Sequence, residues 1–164
     1  GVISGEQFVD ECQVESDLEL LLPATYVTGS SERMLLYREL DSLTLDKDVE
    51  DFRTRLIDRF GPIPSETEEL LRIVPLRRLA ARLGAEKVFL KGGRMSLFFV
   101  SNPDSPYYQS QAFGKVIAYM MKYTRRCDLR EQNTRRSMLV KDVKNVETAV
   151  SVLQEIVAMQ VEEG

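Results

Sequence analysis

The glycine pair Gly92-Gly93 limits the possible folds of this chain more than any other feature of its sequence. The pair separates two segments rich in strand-forming residues, 86–91 and 94–100. Two consecutive glycines supply the positive φ angles that a primed two-residue turn requires. The two segments are therefore predicted to form an antiparallel β-hairpin, so the fold must contain a sheet.

Other strands are predicted on both sides of this hairpin. Residues 126–131 and 135–141 have the pattern of a second hairpin around Asn133. Asp17–Leu22 is predicted to form a short strand, which Pro23 ends because proline lacks the N–H that a ladder needs.

Apolar side chains at helical spacing predict five helices, at about 30–42, 46–60, 65–83, 105–123 and 145–161. Ser30 or Ser31 is expected to cap the first helix, and Ser65 and Glu68 have the spacing of a capping box at the start of the third. Pro75 lies inside the third helix, where it removes a backbone hydrogen bond, so we expect a kink or a break there.

The order of these elements is typical of one class of fold. Hairpins require antiparallel pairing, and the helices cluster instead of alternating singly with strands. Gly61 is expected to end the second helix in the left-handed conformation. The sequence therefore predicts an α+β fold in which helices pack on a small antiparallel sheet, built from two hairpins and the short N-terminal strand.

The composition excludes several classes of enzyme. The 164 residues include no His, which excludes Ser-His-Asp and Cys-His catalysis and zincin-type metal sites. Cys12 and Cys127 are too few for a zinc cluster or a disulfide framework, so we expect packed or surface thiols in a reducing, cytoplasmic compartment. The sequence has no phosphate-binding glycine loop. We therefore expect no catalysis, no cofactor and no bound metal.

Charge and length indicate the domain organisation. The chain has 22 Lys and Arg against 26 Asp and Glu, and a net charge of −4 gives no general attraction for nucleic acid or anionic membranes. No apolar segment approaches the roughly 18 residues that span a bilayer, so no membrane partner is expected. Because the chain begins at Gly1 rather than Met, we expect a piece of a longer protein, with residues 1–16 as a linker or tail and residues 17–164 as a single domain.

A cluster of basic residues is one candidate site. Six Lys and Arg occur in one short segment: Lys122, Arg125, Arg126, Arg130, Arg135 and Arg136. Interleaved with Tyr119 and Tyr123, they are typical of a nucleic-acid groove with aromatic stacking, in which binding weakens steeply with salt. The alternative is a charged hairpin on the surface, since Asp128 and Glu131 lie nearby and the chain as a whole is acidic.

The polar face of the predicted 46–60 helix is the second candidate site. Asp51 and Arg55 are four residues apart and Arg55 and Asp58 are three apart, so ion pairs along this helix are predicted. The pattern alone favours a ladder of ion pairs on the exposed surface of the helix, each worth about 0.3–0.5 kcal/mol. Asp58 lies opposite Val49 on the helix, so the core does not need its carboxylate.

One segment resembles a known family. Residues 56–64, Leu-Ile-Asp-Arg-Phe-Gly-Pro-Ile-Pro, are similar to a signature of the C-terminal domain of bacterial transcription-repair coupling factors. The flanking segments agree: Leu22-Pro23-Ala24-Thr25-Tyr26-Val27, Tyr37-Arg38-Glu39-Leu40 and Leu70-Leu71-Arg72-Ile73. The similarity extends over about residues 17–90, and beyond them mainly the order of elements agrees.

This resemblance implies a regulatory domain, not an enzyme. In that family the full-length protein is an ATP-dependent translocase on duplex DNA that displaces stalled RNA polymerase and recruits the excision-repair protein UvrA. The C-terminal domain is expected to pack on a UvrB-like N-terminal module and to hide its UvrA-binding surface. The resemblance assigns this contact to Asp58, with Asp51, Arg55 and Arg59 on the same helix. Arg55 departs from the pattern because some relatives have Glu there, and a nucleic-acid-binding module remains the alternative.

Overall fold

The computed structural model describes residues 8–161 of the chain. Within them, five helices and five strands follow the predicted order, and the α+β class is confirmed. The helices are α1 Ser30–Ser42, α2 Asp46–Phe60, α3 Ser65–Arg82, α4 Gln111–Lys122 and α5 Val146–Ala158. The strands are β1 Gln13–Ser16, β2 Ala85–Lys91, β3 Arg94–Phe99, β4 Cys127–Gln132 and β5 Arg135–Val140.

The five strands form one mixed sheet in the order β1-β2-β3-β5-β4. The pairs β2–β3 and β4–β5 are the two predicted hairpins, and β3 pairs antiparallel with β5 between them. β1 instead pairs parallel with β2. The expectation of a wholly antiparallel sheet is therefore wrong at this edge.

The first strand also lies earlier in the chain than predicted, at Gln13–Ser16 instead of Asp17–Leu22. The N–H of Asp17 donates to the carbonyl of Leu90 at 3.0 Å, and the Asp17 carboxylate accepts from the N–H of Gly92 at 3.0 Å. These bonds bring the chain to the turn of the first hairpin, where β2 ends, and the chain then leaves the sheet. β1 falls within residues 1–16, which were expected to be a linker.

The chain forms two compact units. The sheet unit comprises the described residues up to Asp17 and those from Leu76 onward, and it contains all five strands with α4 and α5. The helical unit comprises Leu18–Pro75 and contains α1, α2 and most of α3.

Each unit has its own apolar core. In the sheet unit, Val88, Leu97 and Met138 are fully buried on one face of the sheet, and α4 packs on α5 and contacts β4. Lys87 and Phe98 point to the opposite face and are partly exposed, because alternate residues of a strand face opposite sides. The buried core of the helical unit consists of Leu40, Val49, Phe52, Leu56, Leu71 and Val74.

Several helix ends differ from the sequence prediction. Gly29 precedes α1, and no serine side chain caps this helix. The capping box at α3 does not form, because Pro64 occupies the cap position and its carbonyl accepts from the N–H of Glu68 at 2.9 Å. The segment predicted as one helix at 105–123 is a short 3-10 helix at Pro106–Gln109 followed by α4. Gly61 ends α2 with a positive φ of 87°, as predicted, but its ψ of −162° lies outside the left-handed helical conformation.

The third helix is continuous through Pro75. The predicted break at this proline is therefore wrong, while the kink stays a prediction. Pro75 is the last residue of the helical unit, and Leu76 begins the segment of the same helix that belongs to the sheet unit.

Gly84 and Tyr107 make one close contact inside the sheet unit. Gly84 follows α3 with φ of 83°, and a Cβ atom built on it would lie 2.0 Å from Cε1 of Tyr107. The Tyr107 side chain is fully buried, and its hydroxyl donates to the carbonyl of Leu83. Position 84 therefore requires a glycine for two reasons: the backbone has a positive φ there, and the ring of Tyr107 leaves no space for a side chain.

We predict that Gly84→Ala destabilises the chain by about 2–5 kcal/mol. The left-handed conformation costs an alanine about 1–2 kcal/mol, and displacing a buried ring costs about 1–3 kcal/mol more. Gly92→Ala is the matched control, because Gly92 has φ of 62° and an added Cβ atom would meet nothing within 4 Å. Urea unfolding of both variants tests the prediction, and equal losses of stability would contradict it.

Candidate functional site

Two of the segments that carried the resemblance hold the helical unit together through tyrosine hydroxyls. The Tyr26 hydroxyl donates to the carbonyl of Gly61 at 2.8 Å, so it fastens the segment before α1 to the end of α2. The Tyr37 hydroxyl accepts from the N–H of Leu22 at 2.7 Å. Each tyrosine satisfies a backbone group that no helix or strand pairs, which gives a physical reason for these segments to occur together.

Two ion pairs join α1 to α2. Arg55 donates from both of its terminal nitrogens to the Glu39 carboxylate, with Nη1 at 3.2 Å from Oε2. Arg59, one turn further along α2, pairs with Glu32. Glu39, the later of the two α1 residues, pairs with Arg55, the earlier of the two α2 residues, so the helices run antiparallel. We call these two pairs the interhelical seam.

The interhelical seam corrects the predicted ion pairs within α2. Arg55 was expected to pair with Asp51 and Asp58, but it bonds to Glu39 instead. The longer Glu39 side chain offers both oxygens to the planar guanidinium, which is the stronger geometry. This hydrogen bond raises the pKa of Arg55 above its ordinary value, and the negative charges of Glu39 and Asp51 raise it further.

Asp51 and Asp58 are the free carboxylates of this face. Both residues are exposed, and neither accepts a hydrogen bond or forms an ion pair within residues 8–161. Of the four predicted partner-binding residues, the structure therefore ties Arg55 and Arg59 to α1 and leaves Asp51 and Asp58 available. We call the exposed surface around Asp51 and Asp58 the acidic face.

The helical unit carries the negative charge of the chain. Residues 18–75 contain seven Lys and Arg against twelve Asp and Glu, a net charge of −5. The remaining residues contain fifteen Lys and Arg against fourteen Asp and Glu, a net charge of +1. The acidic face therefore belongs to a unit that attracts basic surfaces as a whole.

Sequence reasoning missed the acids of α1. Glu32 and Glu39 are seven residues apart, so they lie two turns apart on one side of the helix, at a spacing that matches Arg59 and Arg55 on an antiparallel neighbour. This spacing was the available signal. Arg53, also missed, pairs with Glu68 and so joins α2 to α3.

Five of the six basic residues at 122–136 have partners. The contacts are Lys122 with Glu155, Arg126 with the carbonyls of Lys141 and Asp142, Arg130 with Asp128, Arg135 with Glu86, and Arg136 with Glu131. Arg136 also lies over the ring of Tyr108, 4.3 Å from its centroid. Of the six, Arg125 forms no such contact within the described residues.

One groove of about 660 Å³ lies in the sheet unit, and Lys87, Phe98, Arg130 and Arg135 are among the residues that line it. The Nε atom of Arg135 is buried and meets no acceptor in the described part of the chain. Two of the six basic residues therefore share a groove, but each already has an acidic neighbour. The nucleic-acid alternative stays a prediction.

The remaining candidates for chemistry are two buried thiols. Burial raises the pKa of Cys12 to about 11 and also raises the pKa of Cys127, so both remain thiols near neutral pH and lack the reactive thiolate. Among residues 8–161, no group of three or more His, Cys, Asp or Glu could hold a metal ion. No helix in the same range is long and apolar enough to cross a membrane.

Comparison with known proteins identifies the family of the chain. The sequence model of the TRCF domain matches residues 16–110, which is more than half of the chain. The chain belongs to the TRCF domain family. The resemblance of the sequence to transcription-repair coupling factors is therefore confirmed.

Relatives of this family match the chain over a small part of their own length. A transcription-repair-coupling factor of Rickettsia bellii is 30% identical over 132 residues, which are 80% of this chain and 11% of that protein. One of Escherichia coli K12 is 32% identical over 78 residues, 48% of this chain and 7% of that protein. The crystal structure of a C-terminal domain of transcription-repair coupling factor has the same fold, with a TM-score of 0.68 and 17% identity over 90% of this chain and 93% of the other.

We predict that a double-mutant cycle separates the real ion pair of this TRCF domain from the one predicted from sequence. Glu39→Ala with Arg55→Ala should give a coupling energy of about 0.5–1 kcal/mol that falls as salt increases, because the pair is bidentate but exposed. Asp58→Ala with Arg55→Ala should give a coupling close to zero. Urea unfolding of the single and double variants measures both, and a larger coupling for Asp58 than for Glu39 would contradict the structure.

Proposed function

We propose that this chain is a non-catalytic regulatory domain of a transcription-repair coupling factor, and that its acidic face packs on the UvrB-like N-terminal module of the same protein. The observation that carries the proposal is the pair of exposed carboxylates, Asp51 and Asp58, on a unit with a net charge of −5. A face of this charge complements a basic surface, steers its approach and fixes its register.

The interhelical seam supports this function because it engages the two arginines that lie nearest to the acids of α2. In an isolated α2, Arg55 and Arg59 could neutralise the acids beside them. Glu39 and Glu32 hold these two arginines, so Asp51 and Asp58 keep their capacity to accept hydrogen bonds. A carboxylate that accepts from arginine in a partly desolvated contact forms a stronger bond than an exposed surface pair. Asp51 and Asp58 contact the partner directly, and Arg55 and Arg59 border the contact.

The proposal extends to the full-length protein, of which relatives show this domain to be about a tenth. A motor elsewhere in that protein translocates on duplex DNA with ATP and engages stalled RNA polymerase in the cytoplasm. In the resting state the domain hides the UvrA-binding surface of the UvrB-like module. Engagement releases the domain and exposes that surface. The domain itself uses no cofactor.

We predict that Asp58→Ala increases the capture of UvrA by the resting full-length protein several-fold. The change leaves a partner arginine without its acceptor, which weakens the contact by about 1–3 kcal/mol. The same change should cost the chain itself about 0.5 kcal/mol or less, because Asp58 has no partner within the described residues. The measurement is a UvrA pull-down without DNA or ATP.

Asp41→Ala is the matched control for this experiment. Asp41 is also an exposed aspartate, but it lies on the side of α1 that faces away from the interhelical seam. Asp41→Ala should capture UvrA like the wild-type protein. Equal capture by the wild-type protein and Asp58→Ala would contradict the proposed function.

A further inference from the structure

Exposed apolar side chains concentrate in the helical unit. Among the described residues, four of the six exposed large apolar side chains belong to it: Met34, Leu35, Leu45 and Ile57. Leu35 is the most exposed of these four, at 62%. A single exposed leucine needs no explanation by itself, so its position decides whether it has a role.

Leu35 lies beside the interhelical seam. It is three residues after Glu32 and four residues before Glu39, so its side chain is the helical neighbour of both glutamates. These are the two acids that hold Arg59 and Arg55. Leu35 is therefore flanked along α1 by the two ion pairs that join the helices.

The interhelical seam connects Leu35 to the acidic face. Asp51 is four residues before Arg55 and Asp58 is three residues after it, so both acids are helical neighbours of the arginine that Glu39 holds. The outer surface thus runs from Leu35 across the Glu39–Arg55 pair to the two free carboxylates. An apolar side chain sits at one side of this surface, and charged groups border it.

We infer that Leu35 is an apolar anchor of the docking surface, and that the basic surface bound by Asp51 and Asp58 contains an apolar socket that receives it. This inference rests on the proposed function and adds the shape of the partner to it. The occupant is the UvrB-like module of the same protein, whose basic side chains would meet the acids while the socket meets Leu35.

The arrangement matches the anatomy of protein interfaces. Binding energy concentrates in a few side chains that fill desolvated pockets, and surrounding contacts mainly exclude water. Charged residues usually form the rim of such a patch. The ion pairs hold the side chains around Leu35 in place before binding, which lowers the entropy cost of docking.

Met34 provides a matched control on the same helix. It is 56% exposed, close to the exposure of Leu35, and it is also apolar. One residue of a helix turns the side chain by about 100°, so Met34 points away from the interhelical seam. Its sulfur instead accepts from Arg38 at 3.8 Å.

The test uses the full-length protein with UvrA capture as the readout, without DNA or ATP. The variants are Leu35→Ala, Leu35→Met, Met34→Ala and Asp58→Ala, each with a thermal melt and a light-scattering mass. We expect Leu35→Ala to raise capture several-fold, as Asp58→Ala does, and Leu35→Met to raise it less than Leu35→Ala, while Met34→Ala captures like the wild-type protein. The melting temperature should not change, because Leu35 is mostly exposed.

The other outcomes distinguish this inference from the proposed function. If Asp58→Ala raises capture and Leu35→Ala does not, Leu35 is not an anchor of the docking surface and the proposed function stands. If neither raises capture, the proposed function is wrong. Equal effects of Leu35→Ala and Met34→Ala, or a lower melting temperature for Leu35→Ala, would overturn the anchor. A change of mass in Leu35→Ala would show that a second copy covers Leu35 instead.

Discussion

The end of α2 at Gly61 is held by a hydrogen bond from the segment that precedes α1. The positive φ of Gly61 ends the helix, and the Tyr26 hydroxyl holds its carbonyl at 2.8 Å. The following prolines then start α3 at Ser65. The Tyr26 hydroxyl also donates to the carbonyl of Leu56 at 3.3 Å, so the segment before α1 is tied to the C-terminal part of α2. The surface that the unit presents is thus set by hydrogen bonds in its loops as well as by its apolar core.

The ion pairs between α1 and α2 determine which charges of α2 remain unpaired. Glu32 and Glu39 bind Arg59 and Arg55 across the two helices, so these two arginines support the structure while Asp51 and Asp58 form no ion pair within residues 8–161. Read along α2 alone, the same charges predict that Arg55 pairs with the aspartates on its own helix. The distinction matters for function. Aspartates already paired with arginine have little attraction for a partner, whereas unpaired carboxylates on a unit of net charge −5 attract a basic surface.

Most of the fold could be predicted from the sequence, because turns and helices are determined by residues that are close together in the chain. The Gly92-Gly93 turn and the apolar periodicity of α2 depend on neighbouring residues, and both hairpins and all five helices were predicted. The errors involve partners distant in sequence. β1 pairs with β2 more than seventy residues later, Pro64 replaces the cap expected from Ser65, and Glu39 competes for Arg55 from another helix. The candidate acids Asp51 and Asp58 were found from spacing and family resemblance. Only the structure shows that neither forms an ion pair within the described residues.

Photo-cross-linking from Thr54 would identify the surface that the acidic face contacts, since Thr54 is exposed and lies one turn from both Asp51 and Asp58. A photoreactive residue would replace Thr54 in the resting full-length protein, with Ser151, exposed on α5 of the sheet unit, as the control position. We expect Thr54 to cross-link mainly to the UvrB-like module and Ser151 not to do so. Cross-links from Thr54 only to other parts of the protein, or to that module equally from both positions, would contradict this expectation.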